Sequence, residues 1–406
     1  MKILKNITVF TMVMLLSVST VLEAREKNIS NFSSSASNLV DSTGTFDGNK
    51  IYADVANNGL FLDYHVSGDS ALEWPKGTGV HSIFQSALWM GATVNGSIRT
   101  IVGDYTQDMG PGPWGGDPLA AVHRIYKVEK SMLASPLDFA DFQEWPVEFG
   151  APWVDVDGDG VYTPLPGGTD HPEFLGDQVL WFVSNDGDPA YKLNFGTSPM
   201  NVEIQTTMFG FDRPDVFGDM VFLKQLVINK GSDDLVDTYM GLWSDPDLGY
   251  AGDDFVGCDV ALGMGYVWND GDDSQYSTLD IGTPAAGYDF FQGPMVPCED
   301  GDSEEVCPTE GAKMFGTRHP GMKNLKMSSF AFYINGDATY TDPSDETEGY
   351  FYLQGLRKDG SAYPAEIAGD LYDQRFCFYG DPNDSAGHST ANPVDGNYAA
   401  SADRRF

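Results

Sequence analysis

The stretch Ala87-Leu-Trp-Met-Gly-Ala-Thr-Val94, followed by Asn95-Gly96 and Ser97-Ile-Arg-Thr-Ile-Val102, decides the fold class. Two strand-like runs flank an Asn-Gly pair. Both central residues of a two-residue hairpin turn need positive φ, which Asn and Gly adopt most easily, so a β-hairpin is predicted here. The same device recurs where Phe330-Ala-Phe-Tyr-Ile334 meets Asn335-Gly336 before Ala338-Thr-Tyr340, predicting a second hairpin with a positive-φ turn. Working outward, strands are expected over 177–183, 202–211, 220–228 and 236–243. In 220–228 Met220, Phe222, Leu226 and Ile228 share one face, while Val221, Leu223 and Val227 share the other, which predicts a central strand covered on both sides. Glycine contributes 46 of 406 residues and aromatics 13%, a mixture that favours strands joined by tight turns over packed helices. The expected fold is all-β, a β-sandwich-type architecture with long Asp/Gly-rich loops and few short helices. No period of 20–50 residues repeats, which disfavours a propeller or solenoid.

Residues 1–24 carry Lys2 and Lys5, an apolar run from Ile7 to Val18, and a small-residue end at Ala24. That is the layout of a secretory signal peptide, too short to serve well as a spanning helix. No later segment is comparably apolar, so the chain is not expected to span a membrane after cleavage. Residues 25–49 lack periodic apolar positions and are expected to be a poorly ordered leader. The remainder, 50–406, reads as a large all-β region, built as one core or as two packed lobes, about 50–150 and 151–406. The charge balance, 23 Lys and Arg against 60 Asp and Glu for a net of −37, repels phosphate and excludes nucleic acid as a partner. Acidic surfaces suit divalent cations, and also simply keep a protein soluble.

Asp155-Val-Asp157-Gly-Asp159-Gly160-Val161 is the sharpest motif. Carboxylates at alternate positions, with a glycine for the bend and a backbone carbonyl from Val161, let a short loop wrap calcium, which takes six to eight oxygens. Position 12 of an EF-hand loop is Pro166 here, so a free-standing calcium loop is expected, completed from Asp170, Glu173 or Asp177. The alternative is an Asp/Gly turn that holds nothing. A second acidic group, Asp245, Asp247, Asp253, Asp254 and Asp259, follows a predicted strand. It reads as turn-capping carboxylates, as a second calcium site formed by Asp245, Asp247, Asp253 and Asp254, or as the acid and base of a polysaccharide-active, glycoside hydrolase-like enzyme, whose two carboxyl groups must stand about 5–9.5 Å apart. Asp186-Gly-Asp188, Asp270-Gly-Asp272-Asp273 and Asp300-Gly-Asp302 read mostly as turns.

Cys298 and Cys307 bracket a short polar loop and predict a disulfide in an oxidising compartment. Cys258 and Cys377 are left either as a second pair or as two buried thiols. Trp74, Trp114, Trp145 and Trp153, each beside Pro or Gly, either stack on sugars or cover the edge of the core. No nucleophile elbow, zinc-protease helix, phosphate loop, Cys-x-x-Cys or dinucleotide fingerprint occurs, and His65, His81, His123, His171, His319 and His388 form no ligand pair.

Several strings together resemble a family: Glu73-Trp-Pro-Lys-Gly-Thr-Gly79, Leu88-Trp-Met-Gly-Ala92, Gly150-Ala-Pro-Trp-Val-Asp-Val-Asp-Gly-Asp-Gly160, Gly176-Asp-Gln-Val-Leu-Trp181, Trp243-Ser-Asp-Pro-Asp-Leu-Gly249 and Asp253-Asp-Phe-Val-Gly-Cys-Asp259. They look like the large secreted proteins of marine and Bacteroidetes-related bacteria that often end in a type IX secretion sorting domain. The resemblance covers nearly all of 50–406 and implies surface anchoring without implying an activity. In that family the stretch resembling Ala402-Asp-Arg-Arg-Phe406 is followed by further modules, so a truncated chain is expected. The leading expectation is a secreted or cell-surface, non-enzymatic module of a larger extracellular protein, stabilised by calcium and engaged in adhesion or contact with extracellular glycans or other cell-surface components.

Overall fold

A computed structural model describes residues 43–165, 170–383 and 401–406; the signal-like segment 1–24, residues 25–42 of the expected leader and Pro166 lie outside them. The architecture is all-β, built of antiparallel sheets with three short helices among the described residues, Ala140–Gln143, Glu346–Leu353 and Ala365–Ala368. In chain order the first strands are β1 (Thr43–Phe46), β2 (Tyr52–Ala56), β3 (Leu60–Leu62), β4 (Leu72–Glu73), β5 (His81–Ile83), β6 (Gln85–Val94), β7 (Ser97–Ile101), β8 (Gly110–Pro111), β9 (Tyr126–Glu129), β10 (Trp153–Val154) and β11 (His171–Pro172). The longest of the rest are β12 (Gln178–Asn185), β13 (Val202–Gly210), β14 (Phe222–Asn229) and β15 (Val236–Asp245).

The predicted hairpin forms as β6–β7, with Val94 opposite Ser97 and positive φ at Asn95 (52°) and Gly96 (81°). On its other edge β6 pairs with β15, making one sheet in the order β15-β6-β3 with β7 beside β6. A second sheet runs β14-β13-β12, with β8 and β9 on the far edge of β12. These two stack through Leu88, Met90 and Ala92 from one side and Val202 and Ile204 from the other. A third sheet, β1-β2-β4-β5, covers the neighbouring part of the same face through Phe46, Val55 and Ile83 against Leu180 and Phe182. The outer face of β6 and β15 is sealed by the C-terminal half, where Trp89 stacks on Trp243 with ring centroids 5.6 Å apart.

Several expectations are corrected. The leader does not reach residue 49: Thr43–Phe46 pairs with β2, because Phe46 is fully buried in the third sheet's core. The strand covered on both sides is β12, all eight of whose residues are buried. The 220–228 stretch is instead an edge strand, and its second apolar face meets aromatic neighbours, Phe222 stacking on Phe209 at 5.2 Å and on Phe291 at 6.1 Å. Asn335-Gly336 does turn the chain, with φ of 71° at Gly336. The second hairpin is reduced to a backbone bond from Ile334 N–H to the Tyr340 carbonyl at 2.7 Å, and the ladder partner of Tyr333–Ile334 is Arg404–Arg405, a longer-range strand that the turn alone does not exclude. Strands from both sides of residue 150 share sheets (β6 with β15, β9 with β12), so a division into lobes 50–150 and 151–406 does not follow the strand pairing.

Candidate metal centres

Trp153–Val154 and His171–Pro172 form a two-rung antiparallel ladder, and the Asp-rich loop is what connects them. Its base is anchored in the core beneath: Tyr162 stands edge-on to Trp153 and its hydroxyl donates to the Phe142 carbonyl at 2.6 Å. Within the loop the carboxylates fold the backbone around themselves. Asp155 accepts from the N–H groups of Gly158 and Gly160 at 2.7 and 2.9 Å, Asp157 from that of Asp159, and Asp159 from that of Val161. Gly158 and Gly160 take φ of 80° and 76°, which lets the chain curl tightly enough for this pattern.

Asp170 returns from the far end of the loop. One oxygen accepts from Val156 N–H at 3.0 Å, the other from Thr163 N–H at 2.7 Å. Burial raises the Asp170 pKa, but those N–H groups, the Thr163 hydroxyl and His171 more than offset it and hold the carboxyl below its ordinary range. The result is that one oxygen from each of Asp155, Asp157, Asp159 and Asp170 lies within 4.8 Å of the other three. At that spacing each pair of like charges repels by about 1 kcal/mol even at the dielectric of water. Of the three completing residues expected from sequence, only Asp170 joins: Glu173 faces Lys224 at 3.7 Å and Asp177 accepts from Asp212 N–H. Val161 ends the bend, 58% exposed, with its N–H committed to Asp159.

The second acidic group divides in two. Asp245 and Asp247 come together with Asp403, again within 4.8 Å, whereas Asp253 and Asp254 turn away to share the side chain of Asn269. The reason is local: Asp254 also caps the chain at Leu248 N–H, so its carboxyl is drawn under the loop. Burial, reinforced by Asp247 and Asp253 and opposed by that N–H and by Asn269, pushes Asp254 up to about 9. Asp245 accepts from the Tyr105 hydroxyl at 2.7 Å and from Arg405 Nη2 at 3.1 Å, while Arg405 Nη1 reaches Asp403 at 2.8 Å. Asp245, Asp247 and Asp254 are buried, and the hollows at Lys127–Asp141 and between the sheets at Phe61 and Phe182 are lined by other residues. Asp403 was invisible to motif reading, since it lies 156 positions from Asp247 and carries no pattern of its own.

No protein family, curated protein or solved structure matches this chain. What can be read therefore comes from its own side chains. Cys298 and Cys307 are joined as a disulfide, with Cα atoms 5.9 Å apart, and Cys258 and Cys377 remain buried free thiols, the Cys258 S–H donating to the Cys377 carbonyl at 3.4 Å. Of the four tryptophans weighed for sugar stacking, Trp145 is buried, Trp74 and Trp153 are half-buried, and only Trp114 is exposed, at 44%. The weaker Asp motifs act as turns: Asp188 caps Ala190, Asp273 accepts from Gln275 and Tyr276, and Asp302 accepts from Glu299. Among the described residues no helix is long and apolar enough to cross a membrane.

Proposed function

We propose that the chain is a secreted or cell-surface β-sandwich module of a larger extracellular protein, stabilised by calcium in the Asp155–Asp170 loop and serving adhesion or glycan contact without catalysis. The observation that carries this reading is the convergence of four carboxylates, three from one bend and one from the loop's far end, on a shared centre. Hard oxygen donors, no thiol or imidazole among them, suit calcium over zinc or copper. An ion there neutralises the mutual repulsion and pins a 16-residue connection to the two-rung ladder below it. The disulfide, the acidic surface and the signal-peptide layout support an extracellular address, and the family resemblance of the 73–79, 88–92, 150–160, 176–181, 243–249 and 253–259 strings supports attachment at a bacterial surface.

Chelation should lower the melting temperature, and Asp157→Ala should do so with no chelator present. A ligand held at a hundredfold above its Kd stabilises by about 2.7 kcal/mol. A melt unchanged in both tests removes calcium from the account. A protein collected from the medium with its N-terminus at residue 25 supports export, and glycan-array hits lost on Trp114→Ala support contact with sugars.

A further inference from the structure

We infer that a second divalent-cation site, of calcium-type oxygen chemistry, lies where the end of the β6–β15 ladder meets the 401–406 segment, with Asp245, Asp247, Asp403 and Gln85 as its protein donors. It shares no ligand with the Asp155–Asp170 loop and stands whether or not that loop holds an ion. The first observation is the meeting of three carboxylates, with oxygens within 4.8 Å of one another. Surface carboxylates often gather with nothing between them, but two of these three are not on the surface: Asp245 is 2% and Asp247 6% exposed, with Asp403 half-buried beside them.

The second observation is independent of the carboxylates. Gln85 is fully buried and is the direct ladder partner of Asp245, so the two side chains leave the same face of the sheet side by side. Neither amide atom of Gln85 has a hydrogen-bond partner, and neither does Asp245 Oδ1. A buried amide in that position has given up water and received nothing in return, which native interiors rarely tolerate. An ion that takes six to eight oxygens at 2.3–2.6 Å uses the Gln85 carbonyl and Asp245 Oδ1 together.

Charge is the third. The guanidinium bonded to this group is that of Arg405, which bridges Asp245 and Asp403. Arg404, next along the strand, turns the other way, over the rings of Phe332 and Phe378. Two carboxylates, those of Asp245 and Asp403, share the one Arg405 guanidinium, which leaves a negative charge for a divalent ion to offset. The ion thus bonds the 401–406 segment to the end of a strand 158 positions earlier, holding Asp403 and Asp245 on one centre.

Calcium titration calorimetry on the chelator-treated full chain tests this. The expected stoichiometry is two ions for the unaltered protein, one for Asp157→Ala and none for Asp157→Ala/Asp247→Asn. Gln85→Met keeps the side-chain volume and removes only the polar atoms, so in the Asp157→Ala background, with folding checked by circular dichroism, it should weaken the remaining site about ten-fold or more. An Asp157→Ala chain that takes up no calcium overturns the second site and leaves the loop site standing. So does an ion that persists with unchanged affinity through both Asp247→Asn and Gln85→Met. A single ion in the unaltered protein that survives Asp157→Ala and vanishes with Asp247→Asn supports the second site and removes the loop site instead.

Discussion

Asp186 is fully buried, and each of its oxygens receives a backbone N–H at 2.7 Å, from Met200 and from Val202. Asp186→Ala strands two buried donors at the start of β13, at a cost of about 1–3 kcal/mol for each, and urea denaturation should read a loss of about 2–5 kcal/mol. Asp104 behaves differently. Burial first, and then the nearby charge of Asp342, push its carboxyl up to about 7, with Asn194 and Tyr105 N–H opposing. Its folded pKa therefore exceeds the unfolded value near 3.8, the folded chain binds the extra proton, and stability falls as pH rises from about 4 to 7. Asp104→Asn should flatten that fall by up to about 1.4 kcal/mol per pH unit; parallel pH–stability curves for the two proteins count against it. At this scale the sequence announced which aspartates turn the chain, because an Asx turn is a contact between near neighbours. It was silent on Asp104, whose state is set first by burial and then by Asp342, 238 positions away.

At the scale of elements, the β6–β7 hairpin is the part most securely written in local chemistry. Gly96→Ala places a Cβ at φ of 81°, and should cost about 1–2 kcal/mol in a thermal or urea melt. The Cys298–Cys307 loop is equally local: a peptide map under non-reducing conditions should contain the linked pair, and alkylated thiols at both positions contradict it. The strand at Phe222–Asn229 was legible as a strand, but its place in the sheet was not. Apolar side chains on both faces call for two covers, and an aromatic cluster around Phe211, Phe217 and Phe291 supplies the second. The Asn335-Gly336 turn shows the same limit, since its flanking strand found Arg404–Arg405.

For the whole molecule, a net charge of −37 makes self-repulsion a general burden on the folded state. Raising sodium chloride from about 0.05 to 0.5 M shortens the screening length from beyond 10 Å to below 8 Å, so the melting temperature should rise without calcium. Asp157→Ala should show the same rise, because screening acts on the entire surface; a rise confined to the unaltered chain points to a specific ion effect instead. The sheets interleave the two halves of the sequence, β15 returning to β6 and β12 to β9, so partial unfolding of one half should expose the other and the sandwich should melt as a unit.

Residue types and spacing by themselves determined that this is a β protein with tight Asn-Gly and Asp-Gly turns, that Asp155, Asp157 and Asp159 lie on one bend, and that Cys298 can reach Cys307. Each of these is a relation across a few residues, where backbone geometry leaves little choice. Tertiary structure alone decided that Asp170 closes the first group, that Asp403 and Gln85 join Asp245 and Asp247, and that Asp253 and Asp254 do not. The meeting of Gln85 and Asp403 with Asp245 depends on strand pairing across more than a hundred residues, a choice made by the burial of whole faces, while the short ladder at Trp153–Val154 and His171–Pro172 brings Asp170 in and Asn269 draws Asp253 and Asp254 away.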